Sequence, residues 1–250
     1  MDDYAAALTE QNRMLGELLQ GADWSVPVST CPGWTLLQLL RHVGRGDRWA
    51  AQIIADRADA SLDPRLVRDG RPPDDAPGAI RWLSQSPLTL LAAVDAIGPG
   101  AEVSTFVGPR AAVWWIRRRL HEATVHRADA AIALGAPYEL SAELAADGIS
   151  EWLDRLADQQ ALGQPPSLPA GASLALRATD QDLAESTWTV LGSPKGVQWA
   201  GRPGRADLTL SGPATDLLLA LLRRRPVEDT GISLQGTTEL WSSWLALTPL

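Results

Sequence analysis

Apolar residues recur at helical spacing through roughly the first 160 positions and at strand spacing through much of the remainder. Over 3–20, Ala7, Leu8, Leu15, Leu18 and Leu19 fall on one helical face. Pro27 and the run Thr30-Cys31-Pro32-Gly33 interrupt the chain before a second predicted helix over 34–57. In it Leu36, Leu40, Val43, Ala50 and Ile54 form one stripe, and Leu39, His42, Gly46, Trp49 and Ile53 form the next. Two adjacent apolar stripes predict a wide buried face, with His42 inside it and Gly46 leaving space beside that histidine. A polar, Pro-rich loop follows over 59–77. The third predicted helix spans 78–97, with a kink or break expected at Pro87 because proline lacks the N–H the helix needs. Pro109 suits the first position of a fourth helix that runs to 134 and stops at Gly135. A fifth covers 141–160, with Ser141 as N-cap and Glu143 in the first turn.

The run 164–171 holds Pro165, Pro166, Pro169 and Gly171 and reads as a linker. Beyond it the period changes to two. Leu174, Leu176 and Ala178 alternate over 173–179, and Trp188 and Val190 share a face over 186–191. The segments 197–200, 206–210 and 232–234 are further strand candidates. Helices are predicted over 213–225, with Leu217, Leu218, Leu221 and Leu222, and over 237–247, with Trp241 and Trp244. The pattern predicts two domains, a helical one over 1–163 and a small α+β one over 171–250.

Composition narrows the function. With 22 Lys+Arg against 30 Asp+Glu, the net charge of −8 opposes binding to nucleic acid or to anionic lipid. The short runs Arg117-Arg118-Arg119 and Arg223-Arg224-Arg225 are read as solvated helix faces or ends. No apolar stretch reaches the ~18 residues a bilayer span needs, and the acidic start Met1-Asp2-Asp3-Tyr4 lacks a signal pattern. A cytoplasmic protein with a reduced thiol is expected. The single cysteine, Cys31, excludes an internal disulfide and a thiolate-rich zinc site. It precedes a helix N-terminus, but no histidine is near it in sequence, and a buried, inert thiol is the expectation. Of the eleven Trp, most are assigned to packing; Trp34, Trp49 and Trp115 are candidates for pocket walls.

Three histidines bound any imidazole chemistry to His42, His121 and His126. Glu122 and His126 are four apart in the fourth predicted helix, so one ion can take a carboxylate oxygen and a ring nitrogen from consecutive turns. His121 and His126 are five apart, about 140° around the helix, and cannot easily share an ion. His121 is expected on the outer face, with Arg117, Thr124 and Ala128. His42 is then the remaining imidazole for a site of two nitrogens and one oxygen with an open position, the mark of a catalytic metal. Asp129, one turn past His126, is placed to orient a ligand. The same residues also fit a hydrogen-bonded Glu–His pair and a separate core histidine.

The segments Thr30-Cys31-Pro32-Gly33-Trp34-Thr35 and Leu39-Leu40-Arg41-His42-Val43-Gly44 resemble the first metal-binding segment of the mycothiol-dependent maleylpyruvate isomerase family. The run from His121-Glu122-Ala123-Thr124-Val125-His126 to Arg127-Ala128-Asp129-Ala130 resembles its second. The stretch from Leu217 to Leu222, then Arg224, Pro226 and Gly236, is similar to its C-terminal domain. The resemblance covers nearly the whole chain. It implies a DinB-like four-helix bundle followed by a sterol-carrier-like α+β unit. It also implies a divalent metal, usually zinc, on His42, Glu122 and His126, with mycothiol as the thiol cosubstrate, and Arg224 as a functional cation for a carboxylate-bearing substrate. The lone lysine, Lys195, among many Ala, Arg, Asp and Gly fits a GC-rich actinobacterial genome.

In such a site the metal lowers the pKa of a bound thiol. The thiolate adds to a cis double bond conjugated to a carbonyl, the bond between the two carbons becomes single and rotates, and loss of the thiol leaves the trans isomer. The same thiolate can open an epoxide or displace a leaving group, so isomerase and S-transferase chemistry both fit. A non-catalytic binding protein that keeps the fold, and a hydrolase using water in place of the thiol, are the alternatives.

Overall fold

The structure is a computed structural model that describes residues 2–181, 183 and 186–248. Met1 of the acidic start and the last two residues, where the second expected domain ends, lie outside the described residues. The chain divides into two compact units, Met1–Tyr138 and Glu139–Leu250.

The first unit is built from four long helices: α1 (Asp2–Leu19), α2 (Leu36–Asp56), α3 (Ala76–Ile97) and α4 (Val113–Leu134). Helix α1 packs on α3 and α4, and α2 on the same two. The start of α2 is fixed by a capping box, in which the backbone N–H of Thr35 donates to Gln38 Oε1 at 2.7 Å. Both predicted stripes of α2 point inward in part. Leu36, Leu39, Leu40, Val43, Ala50, Ile53 and Ile54 are fully buried, each large one contributing about 1.5–3 kcal/mol. His42 lies at the edge of that face, with 40% of its side chain exposed. Gly44 sets the approach of α2 to α3, because a Cβ there would lie 2.2 Å from the Trp82 ring.

Two expectations for this unit need correction. Helix α3 runs unbroken through Pro87. The Ser86 hydroxyl lies 2.6 Å from Leu83 O, the carbonyl that proline leaves without its usual N–H. Pro109 does not open α4. It sits in a hairpin whose strands are β1 (Glu102–Val103) and β2 (Arg110–Ala111), paired antiparallel, and Gly108 takes the left-handed φ of 88° that the turn requires. Helix α4 begins only at Val113.

The second unit opens with α5 (Ala142–Ala161), capped by the Ser141 hydroxyl as expected, at 3.3 Å from the Leu144 N–H. It continues through β3 (Ser173–Ala178), β4 (Thr187–Ser193), β5 (Gly196–Ala200), β6 (Leu208–Gly212), α6 (Ala214–Leu221), β7 (Ser233–Gly236) and α7 (Glu239–Leu247). The sheet order is β5-β4-β3-β6-β7, antiparallel except for the central pair β3 and β6, where Leu174 faces Leu208 in parallel register. Helix α5 packs on α6 and β5, so it belongs to the same compact unit as the sheet. The Nε1 of Trp188, a fully buried side chain of β4, donates to Ser150 Oγ on α5 at 2.8 Å. Helix α6 stops earlier than its leucines suggest, because Arg223 adopts φ 56° and turns the chain. The order of a helical region followed by a small sheet-containing region agrees with the α+β expectation. Among the described residues no helix is long and apolar enough to cross a membrane.

Candidate metal centre

The site forms where the loop before α2, the second turn of α2 and the middle of α4 meet. The loop is closed on itself: Val28 N–H donates to Trp34 O at 2.9 Å, and Trp34 N–H donates to Cys31 O at 2.9 Å. Gly33 takes a φ of 83°, and the loop thereby points Thr30 and Cys31 toward α4. Trp34 lies with its ring centroid 4.8 Å from that of His42 and 6.0 Å from that of His126.

The two imidazoles and Glu122 converge as the spacing predicts. His42 Nε2 lies 3.3 Å from Glu122 Oε2, and His126 Nε2 lies 3.4 Å from the same oxygen. The three donor atoms fall within 4.8 Å of one another. Bonds of about 2.0–2.1 Å to a tetrahedral ion place neighbouring ligand atoms about 3.4 Å apart. The spacing is that of long hydrogen bonds and equally that of a coordination sphere, and the donor set fits a divalent ion. The exposed flank of His42 is its open side.

Behind His126 stands Asp129, fully buried. Its Oδ2 lies 2.8 Å from His126 Nδ1, and its other oxygen accepts from the Thr30 hydroxyl at 2.6 Å. The Cys31 thiol lies 3.4 Å from Oδ2. With Nδ1 held against the carboxylate, Nε2 is the ring nitrogen turned toward Glu122. Cys31, His126 and Asp129 form a second set of three donors within 4.8 Å. Its carboxylate–imidazole distance is that of a hydrogen bond, so this set supports His126 rather than holding an ion of its own. No histidine is near Cys31 in sequence, but the fold brings His126 beside it, and the thiol is half-buried rather than buried as expected.

The electrostatics come from α4 itself. Arg118 Nη2 donates to Glu122 Oε1 at 2.8 Å, and Arg119 Nη1 lies 3.8 Å from Oε2. Burial opposes ionisation of Glu122, but Arg118, the two imidazoles and Arg119 outweigh it and hold the carboxyl well below its usual range. Burial pushes the His42 imidazole below its ordinary value. Burial acts the same way on His126, yet its hydrogen bonds to Asp129, Cys31 and Glu122 prevail and raise it to about 10. An ion bound at His126 would therefore have to displace a proton from the ring.

The run Arg117-Arg118-Arg119 is not a solvated face. Arg118 and Arg119 are each 5% exposed, and Arg119 Nε donates to the fully buried Asp47 at 2.9 Å. His121 is buried as well, at 3% exposure, against the expectation of an outer face. Helix α4 is buried at every position from 126 to 131, so it has no outer stripe there. The gap left by Gly46 is taken by the Arg119 guanidinium, whose carbon would lie 2.4 Å from a Cβ at that position. Sequence reasoning missed Asp47, Arg118 and Arg119; the signal available was the i,i+4 and i,i+3 spacing of the two arginines to Glu122. Of the tryptophans proposed as walls, Trp34 lines the site. Trp49, half-buried, packs edge to face at 5.1 Å on the fully buried Trp115. Arg224 lies in the second unit, half-buried, with Nη1 donating to Leu222 O at 2.7 Å.

The comparisons with known proteins bear on the family and the fold. A crystal structure of the mycothiol-dependent maleylpyruvate isomerase is 15% identical, with a TM-score of 0.60 over 94% of this chain and 92% of that one. A histidine-to-alanine mutant of the mycothiol-dependent maleylpyruvate isomerase is 14% identical, with a TM-score of 0.59 over the same shares. At such identity these neighbours establish the fold alone. No curated protein sequence matches. The family model described as "Mycothiol maleylpyruvate isomerase N-terminal domain" matches residues 5–131, and that of the corresponding C-terminal domain matches residues 143–243. The first match alone spans more than half of the 250 residues and contains every residue that builds the centre, so the chain belongs to the mycothiol maleylpyruvate isomerase family.

Proposed function

We propose that the protein is a metal-dependent enzyme that uses mycothiol to attack a small, carboxylate-bearing electrophile, by maleylpyruvate-type cis–trans isomerisation or by thiol S-transfer. The observation that carries this reading is the meeting of His42 Nε2 and His126 Nε2 at 3.3 and 3.4 Å from one oxygen of Glu122. These three residues would hold a divalent ion, zinc in this reading, which makes a coordinated thiol a thiolate at neutral pH. Asp129 keeps the His126 ring turned with Nε2 forward. Arg118 occupies Glu122 Oε1 and leaves Oε2 as the donor. Trp34 walls one side and excludes water from it, while the exposed flank of His42 admits the reactants. Arg224 serves as the cation for the substrate carboxylate. The reading also places the protein in the cytoplasm of an actinobacterium, where this thiol is made.

The test joins metal analysis to turnover. The purified protein is expected to hold one divalent ion per chain, and His126→Ala to lose it while remaining folded. Conversion of maleylpyruvate, or of an epoxide or halide electrophile, is expected only when mycothiol is added. Arg224→Ala is expected to raise KM for an acidic substrate. Turnover without any thiol would make the protein a hydrolase. Absence of metal, with His126→Ala unchanged, would leave a binding protein that keeps the fold.

A further inference from the structure

Arg119 is three residues before Glu122 on α4, a spacing at which a guanidinium normally lies directly on the carboxylate. Here it does not. Two bonds from α2 hold it back: Nε donates to Asp47 Oδ1 at 2.9 Å and Nη2 donates to Val43 O at 3.1 Å. Nη1 is left 3.8 Å from Glu122 Oε2, beyond hydrogen-bond reach but well within reach of its charge. Asp47 is itself tied to α3 by the Ser86 hydroxyl at 2.9 Å, and it is fully buried. A buried ion pair of this kind is a poor stabilising device, since desolvation offsets most of the attraction. Its placement has a different consequence for the site.

We propose that Arg119 is a positioning residue that acts through Glu122: held off by Asp47, it leaves Oε2 free as the single donor oxygen yet weakens its charge, so that the centre favours a thiolate over a neutral thiol. The proposal rests on the metal-and-thiol reading above. Arg118 and Arg119 flank Glu122, and Asp47, on which Arg48 also acts, lies behind Arg119. Arg119 stands between Asp47, on its Nε, and Glu122, on its Nη1, so the ion pair turns its positive end toward Oε2. A thiolate is attracted by that end and a neutral thiol is not. With Arg119 removed, Glu122 becomes the stronger donor and the attraction for a thiolate falls.

The experiment uses the full chain stripped of metal with a chelator and reloaded with cobalt(II), whose absorption reports both its own binding and a bound sulfur. Mycothiol is then titrated into the wild type, Arg119→Lys, and the paired variant Arg119→Gln with Asp47→Asn. The paired variant leaves no unpaired buried charge and so keeps the fold testable, which circular dichroism verifies. In the paired variant cobalt is expected to bind as tightly as in the wild type or more tightly, while mycothiol binds about tenfold more weakly, because the positive end that faced Glu122 Oε2 is gone although the net charge is unchanged. Arg119→Lys is expected to restore most of the thiol affinity. A merely structural role for Arg119 would weaken both affinities together, and that outcome overturns the proposal. So does unchanged thiol affinity in the folded paired variant. If the wild type binds no cobalt, or shows no sulfur-to-cobalt band, the underlying reading fails and the proposal falls with it.

Discussion

Asp129 shows how much work one buried carboxylate does at this centre. Its two oxygens face the Thr30 hydroxyl, the Cys31 thiol and His126 Nδ1 at 2.6, 3.4 and 2.8 Å. Asp129→Asn keeps the volume and one acceptor oxygen, and its amide can still donate to Thr30. What it loses is the charge that makes the imidazole a better donor. Loss of such a partner typically costs about 10–100-fold in metal affinity, and that is the expected change, read by competition with a coloured chelator. Unchanged affinity would mean that the loop alone orients His126. The convergence of the three candidate donors was legible in the sequence because Glu122 and His126 need only a helix to meet, and His42 was the remaining imidazole. Arg119 and Asp47 were not legible, because their contact spans 72 residues of chain, which no local pattern encodes. His121 was misread because stripe-counting assumes a helix with one wet side, and α4 buries 126 through 131 without a gap.

At the scale of elements, the prolines separate what the chain suggests from what it does. Pro87 predicts a break, yet α3 continues through it. The Ser86 hydroxyl lies 2.6 Å from Leu83 O and 2.9 Å from Asp47 Oδ2, and its one proton is shared between them. Pro87→Ala restores a backbone N–H for Leu83 O and releases the hydroxyl wholly to Asp47. An interior proline costs a helix about 3 kcal/mol. The two ring carbons lost from a buried position are worth about 0.8 kcal/mol each. The difference favours alanine by about 1 kcal/mol, which for a chain of this size is a rise of about 2–4 °C in Tm. A lower Tm would show that ring packing, not backbone bonding, is what the position contributes. Pro109 is the converse case. It has the right residue type for a helix start, but Gly108 at φ 88° and the pairing of Val103 with Arg110 commit it to a hairpin first. The capping residue Ser141 was readable because a cap acts on its own next few residues, whereas Thr35, the cap of α2, fell inside the helix expected from 34.

For the whole molecule, the change of period from helical to alternating was enough to give a helical region followed by a small α+β region. The place where one compact unit gives way to the next was harder to read. Pro165, Pro166, Pro169 and Gly171 report that the chain turns there, but not which neighbours the preceding helix packs on. Helix α5 is tied across that turn to the strands that follow it: Gln160 Oε1 accepts from Val197 N–H at 2.7 Å, and Trp188 Nε1 donates to Ser150 at 2.8 Å. Trp199 Nε1 adds a third bond, to Asp154 at 3.2 Å. A fragment beginning at 139 retains all of them; one beginning at 171 retains none, and leaves the buried indole of Trp188 without its acceptor. An 80-residue piece also sits near the size at which a single core rarely supplies more than about 3–5 kcal/mol. The fragment 139–250 is therefore expected to be soluble and to melt in one cooperative step by circular dichroism. The fragment 171–250 is expected to aggregate on a sizing column or to lose its signal without a transition. If the shorter fragment melts cooperatively at a similar temperature, α5 is dispensable to the sheet, and the run 164–171 is a boundary between independently stable parts.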